Sequence, residues 1–268
     1  MKKLLVALFL TSITVANLWA WPDKPVTIIV PFPPGGSTDL IARTLAPKLQ
    51  EKLGGTFVTD NKAGATGTIG AAMVAKSAPD GHTLFVSSLG PFVIAPHLLQ
   101  KVAYDALKDF DYITIAVQAP NVLVVPANSP HKSMAQVITY MKANPEKMTF
   151  ASSGNGSSDH LTAELFWLQT GTLGIHVPYK GAAPALTDIL GGQIETALVG
   201  TPAALPYVRS GKLIPLGITS LKRSPNAPDI PAISEFLPKF EVELVYAIVA
   251  PANTPKSIIE KLNSQLNV

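Results

Sequence analysis

The chain has 268 residues, of which 47% are hydrophobic and 15% charged, and it contains no cysteine. This composition suits packed cores and excludes a disordered chain, a disulfide scaffold, a thiolate metal site and a cysteine nucleophile. The net charge of +3 falls to +1 once Lys2 and Lys3 are set aside, which leaves no electrostatic footprint for nucleic acid or an anionic membrane.

Residues 1–20 have the three parts of a secretory signal: Lys2 and Lys3, the apolar run Leu4 to Leu10, and Ala20 at the cut. Thr11, Ser12, Thr14 and Asn17 dilute the apolar run below the ~20 residues a spanning helix needs, so a cleaved signal is expected rather than an uncleaved anchor. Without a cysteine to lipidate, no membrane anchor is expected, and the periplasm is the compartment that fits. Val26 to Val30 then reads as a buried strand leading into Phe32–Asp39, a turn rich in proline and glycine. Leu40, Ile41, Leu45, Leu49 and Leu53 follow at helical spacing until Gly54-Gly55, with a bend expected at Pro47. A second unit repeats the plan: strand 56–59, glycine-rich turn 61–70, helix through Lys76, tight turn Pro79-Asp80-Gly81 and strand 83–87. The long apolar strand ending in Val122–Val125 is able to pass between lobes. Beyond it come a helix (134–142), a strand (148–151), a helix from about Ser158, a helix (186–190), a strand (213–219) and a returning strand (242–249). Strands alternating with helices predict an α/β fold with a largely parallel sheet.

Three glycine- and hydroxyl-rich loops fall at strand-to-helix junctions: 32–39, 64–70 and 152–158. A helix N-terminus offers unpaired amides and the positive end of the dipole, hence an anion site. Ser37 or Thr38 is expected as the first helix's N-cap, and capping alone is the plainer role for both. Asp39 reads as a first-turn acid placed by the dipole rather than as a catalyst. The spacing Gly64-x-x-Gly67-x-x-Gly70 departs from the dinucleotide fingerprint, and the 154–158 run lacks a nucleophile-elbow order. The five histidines have no metal-ligand spacing. His160 lies beside the third loop and is a candidate for the cleft. No catalytic residue, metal site or cofactor is expected.

In these loops the chain resembles the periplasmic solute-binding subunits of tripartite tricarboxylate transporters, the Bug or TctC-like receptors. The resemblance rests on PFPPGGSTDLIAR (31–43), NKAGATGTIGA (61–71), APDGHTL (78–84), SSGNGSSDHLTAEL (152–165), VPYKGAAPALTDILGGQI (177–194) and RSPNAPDIPAISE (223–235). It implies a two-lobed, type II periplasmic-binding-protein fold, with lobe 1 formed by 21–120 plus 243–268 and lobe 2 by 121–242. It further implies a carboxylate held by Phe32, Gly35, Ser37 and Thr38 from the first loop and by Ala65, Thr66 and Gly67 from the second. Ser153, Gly154, Asn155 and His160 would face it from the other lobe, with Tyr179, Gly181, Ala182 and Ala183 closing the far end. Ala232, Val245 and Ala247 depart from the family's usual threonine, tryptophan and glycine, and a different cleft edge is expected at the last two. Family members usually continue past the point where this chain ends at Val268, so the C-terminal part of lobe 1 reads as truncated.

The expected function is capture of a small di- or tricarboxylate, aromatic acid or amino acid by hinge closure, then delivery to a membrane permease. The protein is expected to be a monomer and not an enzyme. Two alternatives are a sensing module for a receptor kinase and an exported serine hydrolase using Ser157 or Ser158 with His160.

Overall fold

The computed structural model describes residues 21–267, so the expected signal at 1–20 lies outside the described residues. In chain order the first elements are β1 (Val26–Val30), α1 (Ser37–Leu53), β2 (Phe57–Asn61), α2 (Thr68–Ala75), β3 (Thr83–Ser88), α3 (Ala95–Leu98) and β4 (Phe110–Pro126). There follow α4 (Met134–Ala143), β5 (Thr149–Ser152), α5 (Ser158–Thr170), β6 (Ile175–Pro178), α6 (Ala182–Leu190) and β7 (Thr196–Gly200). The last are α7 (Thr201–Arg209), β8 (Leu213–Ile218), β9 (Glu243–Pro251) and α8 (Lys256–Leu266).

β1 sets the layering. Its apolar residues fill both faces, with Val26, Ile28 and Val30 on one side and Ile29 on the other. Against the first face lie Ile41, Ala42 and Leu49 of α1 and Leu262 of α8. Against the second lie Ala71 and Val74 of α2, together with the aromatic group Phe85, Phe92 and Phe110. β1 pairs in parallel with β2 and β3, and β9 enters antiparallel between β3 and β4. The other half repeats the plan with its own cores. Ala185, Leu186 and Ala204 of α6 and α7 cover one face, and Met134, Val137, Phe166 and Trp167 of α4 and α5 cover the other. There β7, β5 and β6 run parallel, and β4 lies antiparallel between β7 and β8.

β4 belongs to both halves. Phe110 to Pro120 pairs with β9, and from Asn121 onward the strand pairs with β7 and β8. The chain returns beside this point, where Val242 N–H donates to the Thr219 carbonyl and Glu243 stands opposite Pro120. Two adjacent extended segments therefore join the halves, a geometry that permits hinge motion. The fold is the α/β, two-lobed arrangement that the sequence implied.

The first helix accommodates its proline, and one local expectation fails. Pro47 does not interrupt α1; it lies on the exposed face, where water can take the carbonyl its missing N–H leaves free. Neither Ser37 nor Thr38 is the N-cap. Gly36, extended at φ −80° and ψ 168°, holds that position without a side-chain bond, and both hydroxylated residues lie inside the first turn.

Candidate functional site

The helices that follow β1, β5, β7 and the Pro178–Gly181 turn begin at the junction between the lobes. The N-caps of α1, α6 and α7 are Gly36, Gly181 and Gly200, and none of the three makes a side-chain cap. Only α5 is capped, with Ser157 Oγ accepting from His160 N at 3.3 Å. An uncapped helix start keeps its first amides available and its positive dipole end unscreened.

The lobes are closed on one another. Thr66 Oγ1 donates across the cleft to the Asn155 carbonyl at 2.8 Å. A side chain on Gly200 would sit 2.6 Å from Ser37 Oγ and 2.7 Å from the Tyr246 hydroxyl, and one on Gly181 would meet Pro33 at 2.8 Å. The second loop reaches this contact through strain: Gly64, Ala65, Thr66 and Gly67 all have positive φ, at 139°, 45°, 53° and 92°. For the β-branched Thr66 that is a true outlier, of the kind that clusters at ligand clamps.

Closure leaves two connected spaces. An inner cavity of about 30 Å³ lies among Phe32, Ser37, Thr38, Asn121, Asp159 and Tyr246, with Ser153, Ala182 and Gly200 completing its walls. An outer one of about 300 Å³ is lined by Ala65, Gly67, Gly154, Asn155, Tyr179 and Lys180. Phe32, Thr66 and Ser153 border both. The inner lining contains no lysine, arginine or histidine. Burial pushes the Asp159 carboxyl up, against the hydrogen bonds from Ser153 that pull it down. The Tyr246 hydroxyl is likewise raised by burial and so stays protonated.

Of the residues named from sequence, Phe32, Ser37, Thr38, Ala65, Thr66, Gly67, Ser153, Gly154, Asn155, Tyr179 and Ala182 come together around these cavities. Gly35, Gly181 and Ala183 instead form the contact between lobes, with Gly35 near Ala183 and Gly181 against Pro33. His160 is placed elsewhere: it lines neither cavity, accepts from Gly156 N through Nδ1 at 3.0 Å, and stacks on His176 with 3.8 Å between centroids. It supports the third loop from behind. The tip of Tyr179 is also committed, since its hydroxyl donates to Asp188 Oδ2 at 2.6 Å, and burial followed by that bond raises its pKa to about 12. Val245 and Ala247 line neither cavity; the cleft wall is built by Leu244 and Tyr246, one residue out of step on β9.

Asn121, Asp159, Gly200, Leu244 and Tyr246 were missed. Asn121 left a trace, as a lone amide inside a run of apolar strand residues. The others are visible only once the lobes meet.

A serine nucleophile finds no support at Ser157. Its hydroxyl donates to the Gly154 carbonyl at 2.7 Å, and His160 directs Nδ1 to a backbone amide and Nε2 towards Glu164 at 3.4 Å. Ser152 does meet His176, but it is buried and lines neither cavity. Among the described residues, no group of three or more His, Cys, Asp or Glu could hold a metal ion, and no helix is long and apolar enough to cross a membrane.

Comparison with known proteins agrees with this geometry. Residues 41–267 match the family model described as the tripartite tricarboxylate transporter family receptor. The chain is 41% identical over 249 residues to protein BugT of Bordetella pertussis, covering 92% of this chain and 76% of that one. A solved R. palustris protein with adipate superposes with a TM-score of 0.89 at 36% identity, covering 92% of this chain and 83% of its own. MatC from Rhodopseudomonas palustris with bound malate gives 0.85 at 33% identity, covering 92% and 84%.

Proposed function

We propose a function from one plain premise: this chain belongs to the tripartite tricarboxylate transporter family of receptors. It acts in the periplasm, where it captures a small carboxylate between its lobes and delivers it to membrane permease subunits. One observation carries this reading. Three uncapped helix N-termini converge on an interlobe cavity that holds no basic side chain. Such a site recognises an anion through amides and hydroxyls, and releases it when the lobes part. The ligand's greater affinity for the closed form drives closure, and no bond is made or broken. The carboxylates named for two structural relatives, adipate and malate, support the substrate class.

Thermal unfolding against a panel of di- and tricarboxylates, aromatic acids and amino acids tests the proposal. A ligand at 100 times its dissociation constant should stabilise the fold by about 2.7 kcal/mol. A transition that no acid moves would overturn carboxylate capture.

A further inference from the structure

We propose that the inner end of the cleft seats the ammonium group of an amino acid, held by Asp159 and by the side-chain carbonyl of Asn121. The adjoining carboxylate rests on the first amides of α1. This inference depends on the capture function proposed above and names its ligand class.

Asn121 lies where β4 crosses between the lobes, and it is fully buried. The orientation of its amide follows from a proton count. Thr162 Oγ1 has one proton and donates it to the Ser158 carbonyl at 2.6 Å. Towards Asn121, 3.2 Å away, that oxygen can therefore only accept, so Asn121 presents its NH2 to Thr162. The other end, Oδ1, is left buried with no partner among the described residues, in a residue that lines the inner cavity. Buried acceptors are rarely left this way, and an orphan in a ligand cleft calls for a donor.

Asp159 supplies a second acceptor on the same cavity. It is 3% exposed, and its Oδ2 takes the Ser153 amide at 2.7 Å and the Ser153 hydroxyl at 2.6 Å. No cation forms an ion pair with it among the described residues. A buried carboxyl without a cation either takes up a proton or is paired, and an ammonium beside Asp159 would hold it ionised. The inner space of about 30 Å³ admits one or two water-sized groups, and an ammonium is of that size. The opposite wall, Gly36, Ser37 and Thr38 at the uncapped start of α1, favours negative charge. One wall thus suits an anion and the other a cation, and both border the same inner cavity. An acid without an amino group would leave Asn121 Oδ1 and Asp159 without a donor. A hydroxy acid would supply one donor but no charge.

Isothermal titration with matched ligands tests this. The series are succinate, malate and aspartate; glutarate, 2-hydroxyglutarate and glutamate; and 3-phenylpropionate, phenyllactate and phenylalanine. In whichever series binds, the amino member is expected to bind at least about tenfold more tightly than the unsubstituted acid, with the hydroxy member between them. Equal or tighter binding of the unsubstituted acid overturns the ammonium seat while leaving carboxylate capture intact. Silence across all the series overturns both. Asp159→Asn is expected to weaken the amino member at least tenfold and to tighten the unsubstituted acid. An equal loss for both would mean that Asp159 only shapes its loop, and would overturn the assignment. Should that variant not fold, the matched series on the unaltered protein decides alone.

Discussion

Two strand-to-helix junctions face each other across the cleft, and both carry an acid in the first turn of the helix. In the first lobe Asp39 takes the Gly35 amide at 2.9 Å, and it is also bound by Arg43 Nε at 3.0 and 2.9 Å and by Asn61 Nδ2 at 2.9 Å. In the second lobe Asp159 takes the amide and hydroxyl of Ser153 but meets no cation among the described residues. The resulting proton affinities diverge. Burial would raise Asp39, but the hydrogen bonds from Arg43, Gly35 and Asn61 hold it below the ordinary carboxylate range, whereas burial prevails at Asp159. The caps diverge as well, for α1 begins on a bare glycine and α5 on a serine that closes its own first turn. The same chain pattern thus yields one wall whose acid is neutralised and whose amides are open, and one wall whose acid is open and whose amides are closed. A loop motif does not fix the sign of the field it presents; the partner of its acid does.

Removing the space where these walls meet should have the largest effect. Gly200→Ala places a methyl group against Ser37 and Tyr246 while keeping an allowed backbone, so closure is blocked but each lobe still folds. Overpacking of about 1–3 kcal/mol should weaken ligand binding roughly 5- to 150-fold by calorimetry. Small-angle scattering should show the variant remaining extended when ligand is added; a compact, tight-binding variant would refute closure at this contact.

Arg43→Gln sharpens the comparison by making the first acid resemble the second. Arg43 is half exposed and Asp39 keeps two other donors, so a stability loss of about 1–2 kcal/mol is expected rather than the larger cost of an orphaned charge. Carboxylate affinity should fall with it, because the acid would then oppose the anion at the same helix start. Unchanged affinity at reduced stability would separate Asp39 from the anion wall.

The smallest effect is expected from pH, and in the second lobe. His176 lies behind the third loop, accepting at Nε2 or donating to Ser152 Oγ, and stacked on His160. Its pKa is lowered to about 4, by burial first and then by the neighbouring His160. The unfolded chain binds this proton at about 6.5 and the folded one near 4, so stability should fall as pH drops through that window and level off below it. After allowance for partial exposure the loss is on the order of 1 kcal/mol. Denaturant titrations between pH 7 and pH 4 measure it, and His176→Asn should flatten the slope. A slope unaffected by the substitution would place the titration elsewhere.

Much of this molecule was legible from residue order. The β1, α1, β3 and α4 segments follow from apolar periodicity, and the stop at Gly54 from local chemistry. β6, β7 and α7 were not legible, because Pro202 and Pro206 obscure the helical period and β7, buried on both faces, shows no alternation. The three loops were readable because glycine and hydroxyl clusters at strand ends are local features. The cavity's remaining walls were not, since Asn121, Asp159 and Tyr246 come from three distant segments. Each looks ordinary alone: a polar residue in a strand, a first-turn acid, an aromatic in a sheet.

The sequence by itself determined the alternation of strands and helices, the glycine hinges of the loops and the supply of helix N-termini for an anion. These depend on contacts within a few residues, where side-chain periodicity and backbone sterics act directly. Only the tertiary structure decided which helix starts stay uncapped, which acid finds an arginine, and which amide oxygen is stranded in the cleft. Those outcomes depend on which surfaces meet when the lobes close, and burial changes the energy of a polar group far more than any neighbour in sequence can.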